Sequence, residues 1–318
     1  MSYKSVWDFG RAGKANYSVH AIGDYPSKIR PVVFRIVAER FSKKGDVILD
    51  PFCGSGTLAV EAKLQGRSSI NYDISPNAIE LTKTKIDKLT PVEMKKALLE
   101  LMEETKKDFQ TYLGNGDIDG EFKHIQAKKE LKKLETELAE LSNPDSVYYK
   151  TTHIIEEKDS REMKLAPESV DAVITDIPYA SMIKYTNKAN DLSNIEDYGE
   201  FLRQLKIPFE KSVVALKKGK YFVVFVADYR IGAARRILPV HSDVIQILQK
   251  LGLTLFDIYV WRYYRSGGFR PFGAKPFQAM NIHTYILVFH KPKGDEIEKK
   301  NSDVRYRKRL IDKLQNNI

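Results

Sequence analysis

DPFCGSGT, at Asp50–Thr57, is the stretch of sequence that decides the fold. The apolar run DVIL at Asp46–Leu49 precedes it and is typical of a short strand, and Leu58–Leu64 follows it with helical spacing and good helix formers. A strand, a glycine turn and a helix in this order open a doubly wound α/β sheet, in which ligands bind beyond the carboxyl ends of the strands. Gly54 and Gly56 carry no Cβ, so the backbone of the turn can approach a ligand closely.

A second predicted strand, Ser68–Tyr72, ends in Asp73. An acidic residue at this place is positioned to accept hydrogen bonds from ribose hydroxyls, and it disfavours a 2′-phosphate. The glycine spacing differs from the dinucleotide-binding pattern GxGxxG. The segment therefore indicates a cofactor of the nucleoside type.

A third predicted strand, Val170–Thr175, leads directly into Asp176-Ile177-Pro178-Tyr179. The carboxyl ends of parallel strands meet at one edge of the sheet, so this tip is expected to lie beside the glycine turn. A short polar-proline-aromatic tip can hold the amino group of a flat base.

The glycine turn and the segment TDIPYA, Thr175–Ala180, together resemble the S-adenosylmethionine-dependent amino-methyltransferases, which comprise the DNA N4-cytosine/N6-adenine methylase family and its RNA-modifying relatives. The resemblance implies a Rossmann-like class I methyltransferase sheet with S-adenosylmethionine as cofactor. It implies that the segment at 25–28 closes over the methionine end of the cofactor and that Asp159, after a predicted strand at His153–Glu157, contacts the adenine. The cofactor-binding residues implied in this way are Tyr25, Ser27, Lys28, Asp50, Phe52, Gly54, Gly56, Thr57, Asp73 and Asp159.

The tip suits the chemistry of amine methylation. An exocyclic amine on cytosine or adenine is a poor nucleophile, because its lone pair is delocalised into the ring. If the Asp176 carboxylate and the Ile177 carbonyl accept its two N–H bonds, the nitrogen becomes pyramidal and can attack the methyl sulfonium in line. Tyr179 is expected to stack on the base after the base leaves its helix. The predicted catalytic set is Asp176, Ile177, Pro178 and Tyr179.

The tip departs from the family pattern at one position. The family usually carries two prolines, and this chain has Ile177 in the place of the first. The carbonyl remains available, but φ is no longer locked there, and Asp176 escapes the restriction that a following proline imposes. The departure leaves the tip geometry and the substrate open.

The segment at 86–150 interrupts the α/β pattern and is predicted to be an inserted helical hairpin. Leucines at 131, 134, 138 and 141 repeat at helical spacing, and glycines at 114, 116 and 120 mark a turn. The segment holds 11 lysines and 14 acidic residues, so the basic excess lies elsewhere, and its mixed charge favours a solvated face over a nucleic-acid patch. Protein association, self-association and orientation of the substrate all stay open as its role. The predicted domains are a methyltransferase domain at 1–85 and 151–293, this insertion, and a charged tail at 294–318.

After the tip, strands are predicted at Tyr221–Ala227, Leu255–Trp261 and Thr284–His290, with a helix at Val240–Leu251. The segment at 262–272 mixes cations, aromatics and glycines without an acid, which is typical of loops that grip phosphates and stack on bases. A second contact loop is predicted at Lys184–Asn190. The predicted nucleic-acid-binding residues are Lys184, Arg262, Tyr264, Arg265, Phe269 and Arg270.

Composition favours a cytoplasmic enzyme with a polyanionic partner. The net charge is +10, which suits nucleic acid. The single cysteine, Cys53, excludes an internal disulfide, and without a Cys/His cluster no metal site is predicted. The start MSYKSVWDFG does not resemble a signal peptide, and no apolar run approaches membrane length.

The predicted function is methyl transfer from S-adenosylmethionine to an exocyclic amine of a base in nucleic acid. Cytosine N4 is the first choice and adenine N6 the second. DNA and structured RNA such as rRNA both stay open, because the tip looks like that of DNA methylases while no separate target-recognition domain is evident. The alternatives are a tRNA guanine-N2 methyltransferase, a protein or small-molecule methyltransferase, and a non-catalytic nucleic-acid-binding partner with a methyltransferase fold.

Overall fold

The computed structural model describes residues 5–8, 17–26, 29–112, 118–179, 183–231, 236–262 and 283–294, with only the backbone course for 108–112, 118–126 and 230–231. The strands in this part of the chain are β1 (Val6–Asp8), β2 (Val47–Asp50), β3 (Ser68–Asp73), β4 (His153–Glu157), β5 (Val170–Asp176), β6 (Leu216–Val226), β7 (Tyr229–Ile231), β8 (Arg236–Leu238), β9 (Thr254–Arg262) and β10 (His283–His290). The helices are α1 (Pro31–Phe41), α2 (Thr57–Leu64), α3 (Pro76–Lys88), α4 (Pro91–Tyr112), α5 (Ile118–Glu140), α6 (Tyr198–Ala215) and α7 (Val240–Lys250).

The central sheet has the order β1-β9-β10-β6-β5-β2-β3-β4 among the described strands, and β7 and β8 form a separate hairpin. Strand β10 runs antiparallel to both of its neighbours, and the other pairs of the sheet are parallel. Consequently the carboxyl ends of β2, β3, β4, β5, β6 and β9 lie at the same edge as the start of β10. This is the ligand-binding edge of a doubly wound sheet.

Both faces of the sheet are buried, which explains why its central strands are nearly continuous apolar runs. Side chains alternate between the faces along β5: Val173 packs into a core with α6 and α7, whereas Ala172 and Ile174 pack against α1. The predicted helix at Pro31–Phe41 is α1 with the same bounds. The predicted α/β fold is therefore confirmed. The sheet also determines the positions of the residues at the carboxyl ends of the strands.

One strand is longer than predicted. The sequence indicates a strand at Tyr221–Ala227, but β6 begins at Leu216. Gly219 lies inside the strand with φ of +75°, and the pairing of β6 with β5 shifts register near this point. A glycine between lysines marks the irregularity in the strand.

The predicted helical hairpin is present as α4 and α5, which pack against each other. Its seam continues into the methyltransferase domain, because Leu98, Leu134 and Leu141 share one buried cluster with Ala59 and Val60 of α2. The base of the hairpin thus extends the core of the sheet domain.

A buried ionic network also joins the hairpin to the domain, and it corrects the expectation that the charges of the insertion are solvated. Arg35 of α1 is 2% exposed and its Nη2 donates to Glu137 Oε2 of α5 at 2.5 Å. Arg35 Nε lies 3.5 Å from Glu130 Oε1, and Nη1 lies 3.8 Å from Glu61 Oε2 of α2. Burial alone lowers the pKa of Arg35, but the surrounding carboxylates outweigh it and raise the pKa above its usual range. The guanidinium is therefore a fixed charge.

In the described part of the chain, no helix combines the length and the apolar character that crossing a bilayer requires.

Candidate active site

The glycine turn between β2 and α2 adopts a conformation that favours glycine at two positions. Gly54 has φ of +50° and Gly56 has φ of +74°, both in the left-handed region. A Cβ on Gly56 would lie 2.5 Å from the Thr82 side chain, and a Cβ on Gly54 would lie 3.0 Å from the Tyr25 ring. The turn is thus held between α3 and the amino-terminal segment.

Asp73, the last residue of β3, organises this turn. Its Oδ2 accepts the Gly54 N–H at 2.8 Å and its Oδ1 accepts the Ser75 N–H at 2.9 Å. Each carboxylate oxygen retains capacity for a further hydrogen bond. Burial raises the pKa of Asp73 to about 6. The predicted hydrogen bonds from a ribose diol to Asp73 require the ionised carboxylate. Because the pKa of Asp73 is about 6, the ionised fraction changes close to neutral pH.

Asp50, the last residue of β2, connects the turn to the strand that carries the tip. Its Oδ1 accepts the Thr175 hydroxyl of β5 at 2.8 Å and the Phe52 N–H at 3.2 Å. Asp50 is 2% exposed, and burial raises its pKa to about 7. The contact fixes the relative positions of the two loops that meet in the cleft.

The tip residues lie at the end of β5, where Asp176 is in register with Phe225 of β6. The Tyr179 hydroxyl donates to Asp176 Oδ1 at 2.9 Å. Enclosure of the carboxylate raises the pKa of Asp176. The Ile177 side chain is 2% exposed and packs into the core, so isoleucine at this position anchors the tip through apolar contacts.

The amino-terminal segment covers the glycine turn. The Tyr25 ring lies against Gly54 and stacks on Tyr185, with centroids 5.9 Å apart and an angle of 21° between the rings. Burial raises the pKa of Tyr25, so its hydroxyl stays protonated. Ser27 and Lys28, also predicted to bind the cofactor, lie outside the described residues.

Asp159 follows β4 and is held in place by an arginine that the sequence analysis does not single out. Arg161 donates from Nε to Oδ1 at 2.9 Å and from Nη2 to Oδ2 at 2.6 Å, and Asn190 donates to Oδ2 at 3.2 Å. Burial by itself raises the pKa of Asp159, but the hydrogen bonds from Arg161 outweigh it and lower the pKa. The carboxylate is therefore ionised at neutral pH.

The segment that follows the tip contributes a wall of the same cleft. Lys188 Nζ donates to the Ile74 carbonyl at 2.8 Å and to Glu157 Oε1 at 2.5 Å, so the segment reaches the ends of β3 and β4. The sequence analysis predicts nucleic-acid contacts for Lys184–Asn190. Lys184 is exposed and that role stays a prediction, whereas Lys188 and Asn190 are bound to the wall of the cleft.

These groups enclose one cleft of about 840 Å³, open mouth included. The structure brings together most of the predicted residues in the lining of this cleft; Gly56 and Tyr179 lie beside it. The predicted residues in the lining are Tyr25, Asp50, Phe52, Gly54, Thr57, Asp73, Asp159, Asp176, Ile177 and Pro178.

S-adenosylmethionine fits this set of residues. Asp73 offers acceptors for a diol, and Phe52 and Ile74 supply apolar walls. The cleft is also continuous from the glycine turn to Asp176, as methyl transfer to a substrate at the tip requires. Within the residues described, no group of three or more His, Cys, Asp or Glu side chains is arranged to hold a metal ion.

The predicted nucleic-acid loop is described only at its first residue. Arg262 is exposed at the end of β9, at the ligand-binding edge of the sheet. Tyr264, Arg265, Phe269 and Arg270 lie outside the described residues. Contact of this loop with nucleic acid stays a prediction.

Comparison with known proteins assigns the family. The profile described as "RMKL-like, methyltransferase domain" matches residues 37–234, which is more than half of the chain. The chain therefore belongs to the RMKL-like methyltransferase-domain family, and its cofactor is S-adenosylmethionine. A second profile, described as "DNA methylase", matches residues 170–316. The resemblance predicted from the glycine turn and the tip is confirmed.

Individual relatives match over shorter stretches. The Type II methyltransferase M.MjaII of Methanocaldococcus jannaschii is 34% identical over 122 residues, which cover 37% of this chain and 23% of that protein. The Type II methyltransferase M.HpaI of Haemophilus parainfluenzae is 32% identical over 83 residues, 26% of either chain. This chain thus spans about a quarter of the length of these curated relatives.

The solved structures that the chain matches include methyltransferases of different kinds. A SAM-dependent methyltransferase of Methanosarcina mazei is 12% identical, with coverage of 80% of this chain and 97% of that chain and a TM-score of 0.41. The rRNA methyltransferase aviRa of Streptomyces viridochromogenes is 15% identical, with coverage of 89% and 94% and a TM-score of 0.42.

Proposed function

We propose that this protein transfers the methyl group of S-adenosylmethionine to the exocyclic amino group of a base in nucleic acid. Cytosine N4 is the first choice and adenine N6 the second, in DNA or in structured RNA. The observation that carries the proposal is the position of Asp176, Ile177 and Pro178, which line the same cleft as the glycine turn and Asp73. A cytoplasmic location is in keeping with this substrate class.

Each residue of the tip would have a separate role in the reaction. The cofactor, when bound, supplies an electrophilic methyl group on a sulfonium. Asp176 accepts one amine N–H and the Ile177 carbonyl accepts the other, which directs the nitrogen lone pair toward the cleft. Tyr179 orients Asp176 through the 2.9 Å hydrogen bond and offers its ring to the base. The opposite wall, formed by Tyr25 and Tyr185, covers the glycine turn.

Charge and relatives support nucleic acid as the substrate. The net charge of +10 favours a polyanion. M.MjaII and M.HpaI are both Type II methyltransferases by name, and the Escherichia coli relative YhdJ, 29% identical over 83 residues, is named as a DNA adenine methyltransferase. The predicted domain boundaries, and association through α4 and α5, stay proposals alongside this one.

The experiment is incubation with labelled S-adenosylmethionine and separate pools of DNA, tRNA and rRNA, followed by nucleoside analysis by mass. We expect N4-methylcytosine or N6-methyladenine in one pool, and a strongly reduced amount with Asp176→Ala in the same reaction time. Label in protein alone contradicts the proposal, and N2-methylguanine in tRNA favours the guanine-N2 alternative.

One observation favours a non-catalytic alternative. Ile177 replaces a proline of the usual tip, so the chain would then use the fold to bind nucleic acid in support of another subunit. Calorimetry with S-adenosylmethionine separates the two functions. Measurable affinity supports the enzyme, and its absence supports the non-catalytic partner.

A further inference from the structure

The amino-terminal segment that covers the glycine turn, residues 17–26, lies against the inserted hairpin. It begins with a short 3₁₀ turn at Ser18–Ala21. Shortly after this turn, Tyr25 lies against Gly54 and lines the cleft. The position of the Tyr25 ring therefore depends on the contacts that hold the 3₁₀ turn in place.

Helix α4 of the hairpin contacts the 3₁₀ turn through a carboxylate. The Ser18 N–H donates to Glu100 Oε2 at 2.9 Å, and the Ser18 hydroxyl donates to Glu100 Oε1 at 3.4 Å. Hydrogen bonds to an ionised acceptor are stronger than those between neutral groups. The two residues are 82 positions apart in the chain, so this contact exists only because the hairpin is present.

Apolar side chains of the same segment also pack onto the hairpin. Tyr17 and Val19 are buried and share one core cluster with apolar side chains of α4 and α5. Ile22, directly after the 3₁₀ turn, packs against this cluster. Gly23 then passes so close to α3 that a Cβ would lie 2.2 Å from a side chain of that helix. The chain is therefore closely packed up to the residues just before Tyr25.

A buried carboxylate of α2 connects the segment to the second helix of the hairpin. Glu61 Oε1 accepts the Tyr17 hydroxyl at 2.5 Å and lies 2.8 Å from His20 Nε2. Its other oxygen, Oε2, lies 3.8 Å from Arg35 Nη1, and Arg35 is bound to Glu137 of α5. The hairpin thus supports the segment directly through α4 and indirectly through α5.

We propose that the inserted hairpin positions the cover of the cofactor site, with Glu100 as the positioning residue. Glu100 holds the segment through Ser18, so that Tyr25 lies over the glycine turn before S-adenosylmethionine binds. Without this contact the cofactor would have to order the segment on binding, and the cost in entropy would lower the affinity. The inference rests on the cleft as the cofactor site and is independent of which base is methylated.

Calorimetry with S-adenosylmethionine on Glu100→Ala tests the inference. We expect the dissociation constant to rise about fivefold, the scale of one lost hydrogen bond. Glu103→Ala is the matched control, because Glu103 is exposed on the same helix and pairs with Lys106, and it should leave the constant unchanged. In a Tyr25→Ala background, Glu100→Ala should cause no further loss of affinity, because the carboxylate acts through the position of that ring.

Amide hydrogen exchange measures the segment itself. We expect residues 17–26 to exchange faster in Glu100→Ala than in Glu103→Ala, since these amides lose the support of α4. Equal exchange in the two variants would overturn the inference.

The inference and the proposed function can fail separately, because calorimetry needs no nucleic acid. A wild type without measurable affinity for S-adenosylmethionine overturns both. Measurable wild-type affinity that is unchanged in Glu100→Ala overturns the inference alone. The inference is also overturned if Glu100→Ala lowers the affinity equally with and without the Tyr25 ring, since the carboxylate would then act on the domain as a whole.

Discussion

The Tyr179 hydroxyl gives this residue a task besides stacking. It donates to Asp176 Oδ1 and so fixes the carboxylate that is proposed to accept the target amine. The sequence alone indicates only the ring, because a tyrosine after Asp-Ile-Pro does not reveal which way its hydroxyl points. Loss of the ring and loss of the hydroxyl therefore have different expected effects.

We expect Tyr179→Phe to lower turnover about tenfold, since the hydrogen bond that orients the Asp176 carboxyl group is lost. Tyr179→Ala should lower it further by removing base stacking, at about 1–3 kcal/mol. Asp176→Ala should lower turnover by about 10²–10³-fold, as for the loss of one preorganised hydrogen-bonding group. Single-turnover kinetics measures all three, and cofactor affinity is the control. Equal inactivity of Tyr179→Phe and Tyr179→Ala would contradict a stacking role.

Asp73 predicts a pH dependence of cofactor binding. Burial raises its pKa to about 6, and its bond to a ribose diol requires the ionised carboxylate. Affinity for S-adenosylmethionine should therefore be constant at high pH and decrease as the pH falls through about 6. Asp73→Asn should weaken binding by about 1.5–3 kcal/mol and remove most of this dependence.

Calorimetry between pH 5 and 8 measures this effect. Glu162→Gln changes an exposed carboxylate after β4 and should retain the wild-type pH dependence. Affinity that does not change over this range in the wild type would show that Asp73 does not hold the ribose.

At the scale of elements, the base of the hairpin is tied to the domain by buried charges. Glu137→Ala would leave Arg35 buried with only Glu61 and Glu130 nearby. We expect Glu137→Ala to lower the free energy of unfolding by about 2–3 kcal/mol. This is somewhat less than the cost of removing the only partner of a buried charge, because Arg35 keeps two other carboxylates nearby. Glu135→Ala, on the exposed face of the same helix, is the matched control and should cost less than about 0.5 kcal/mol. Urea denaturation of both variants tests this, and equal stability would mean that the network is not stabilising.

The same network modifies an expectation from the sequence about the insertion. The leucine seam predicts two helices, and mixed charge suggests that a short linker could replace them. The structure buries Leu98, Leu134 and Glu137 against the domain. A linker in place of 91–145 would remove these buried leucines and would leave the Arg35 guanidinium without both Glu130 and Glu137, so we expect it to abolish folding.

Local patterns predict most elements because their signals lie within a few residues. The apolar run of β5 and the start of α1 at Pro31 are of this kind. The contacts of Arg161 and Lys188 beside the cleft could not be predicted from local patterns. Lys188, for example, contacts a carbonyl 114 residues away along the chain. The short strands β7 and β8 also lack a distinct run, since three residues are too few to show a period.

At the scale of the whole molecule, the net charge of +10 predicts salt-sensitive binding of nucleic acid. Release of counterions should lower the logarithm of the association constant linearly with the logarithm of salt concentration, with a slope of about −0.9 per phosphate contacted on duplex DNA. Titrations by fluorescence anisotropy from low to moderate salt measure the slope. Cofactor affinity should change little over the same range, and a slope near zero would contradict a polyanionic substrate.

The hairpin has a consequence for how the chain reaches its native state. β3 and β4 are parallel neighbours, yet the sequence between them includes all of α4 and α5. If this segment were a flexible loop, bringing its two ends together would cost conformational entropy that grows with the length of the loop. Two helices that pair locally form within microseconds and bring the ends of the insertion together. The insertion therefore shortens the search by which β4 finds β3, and it acts as a folding aid for the sheet that interrupts it in sequence.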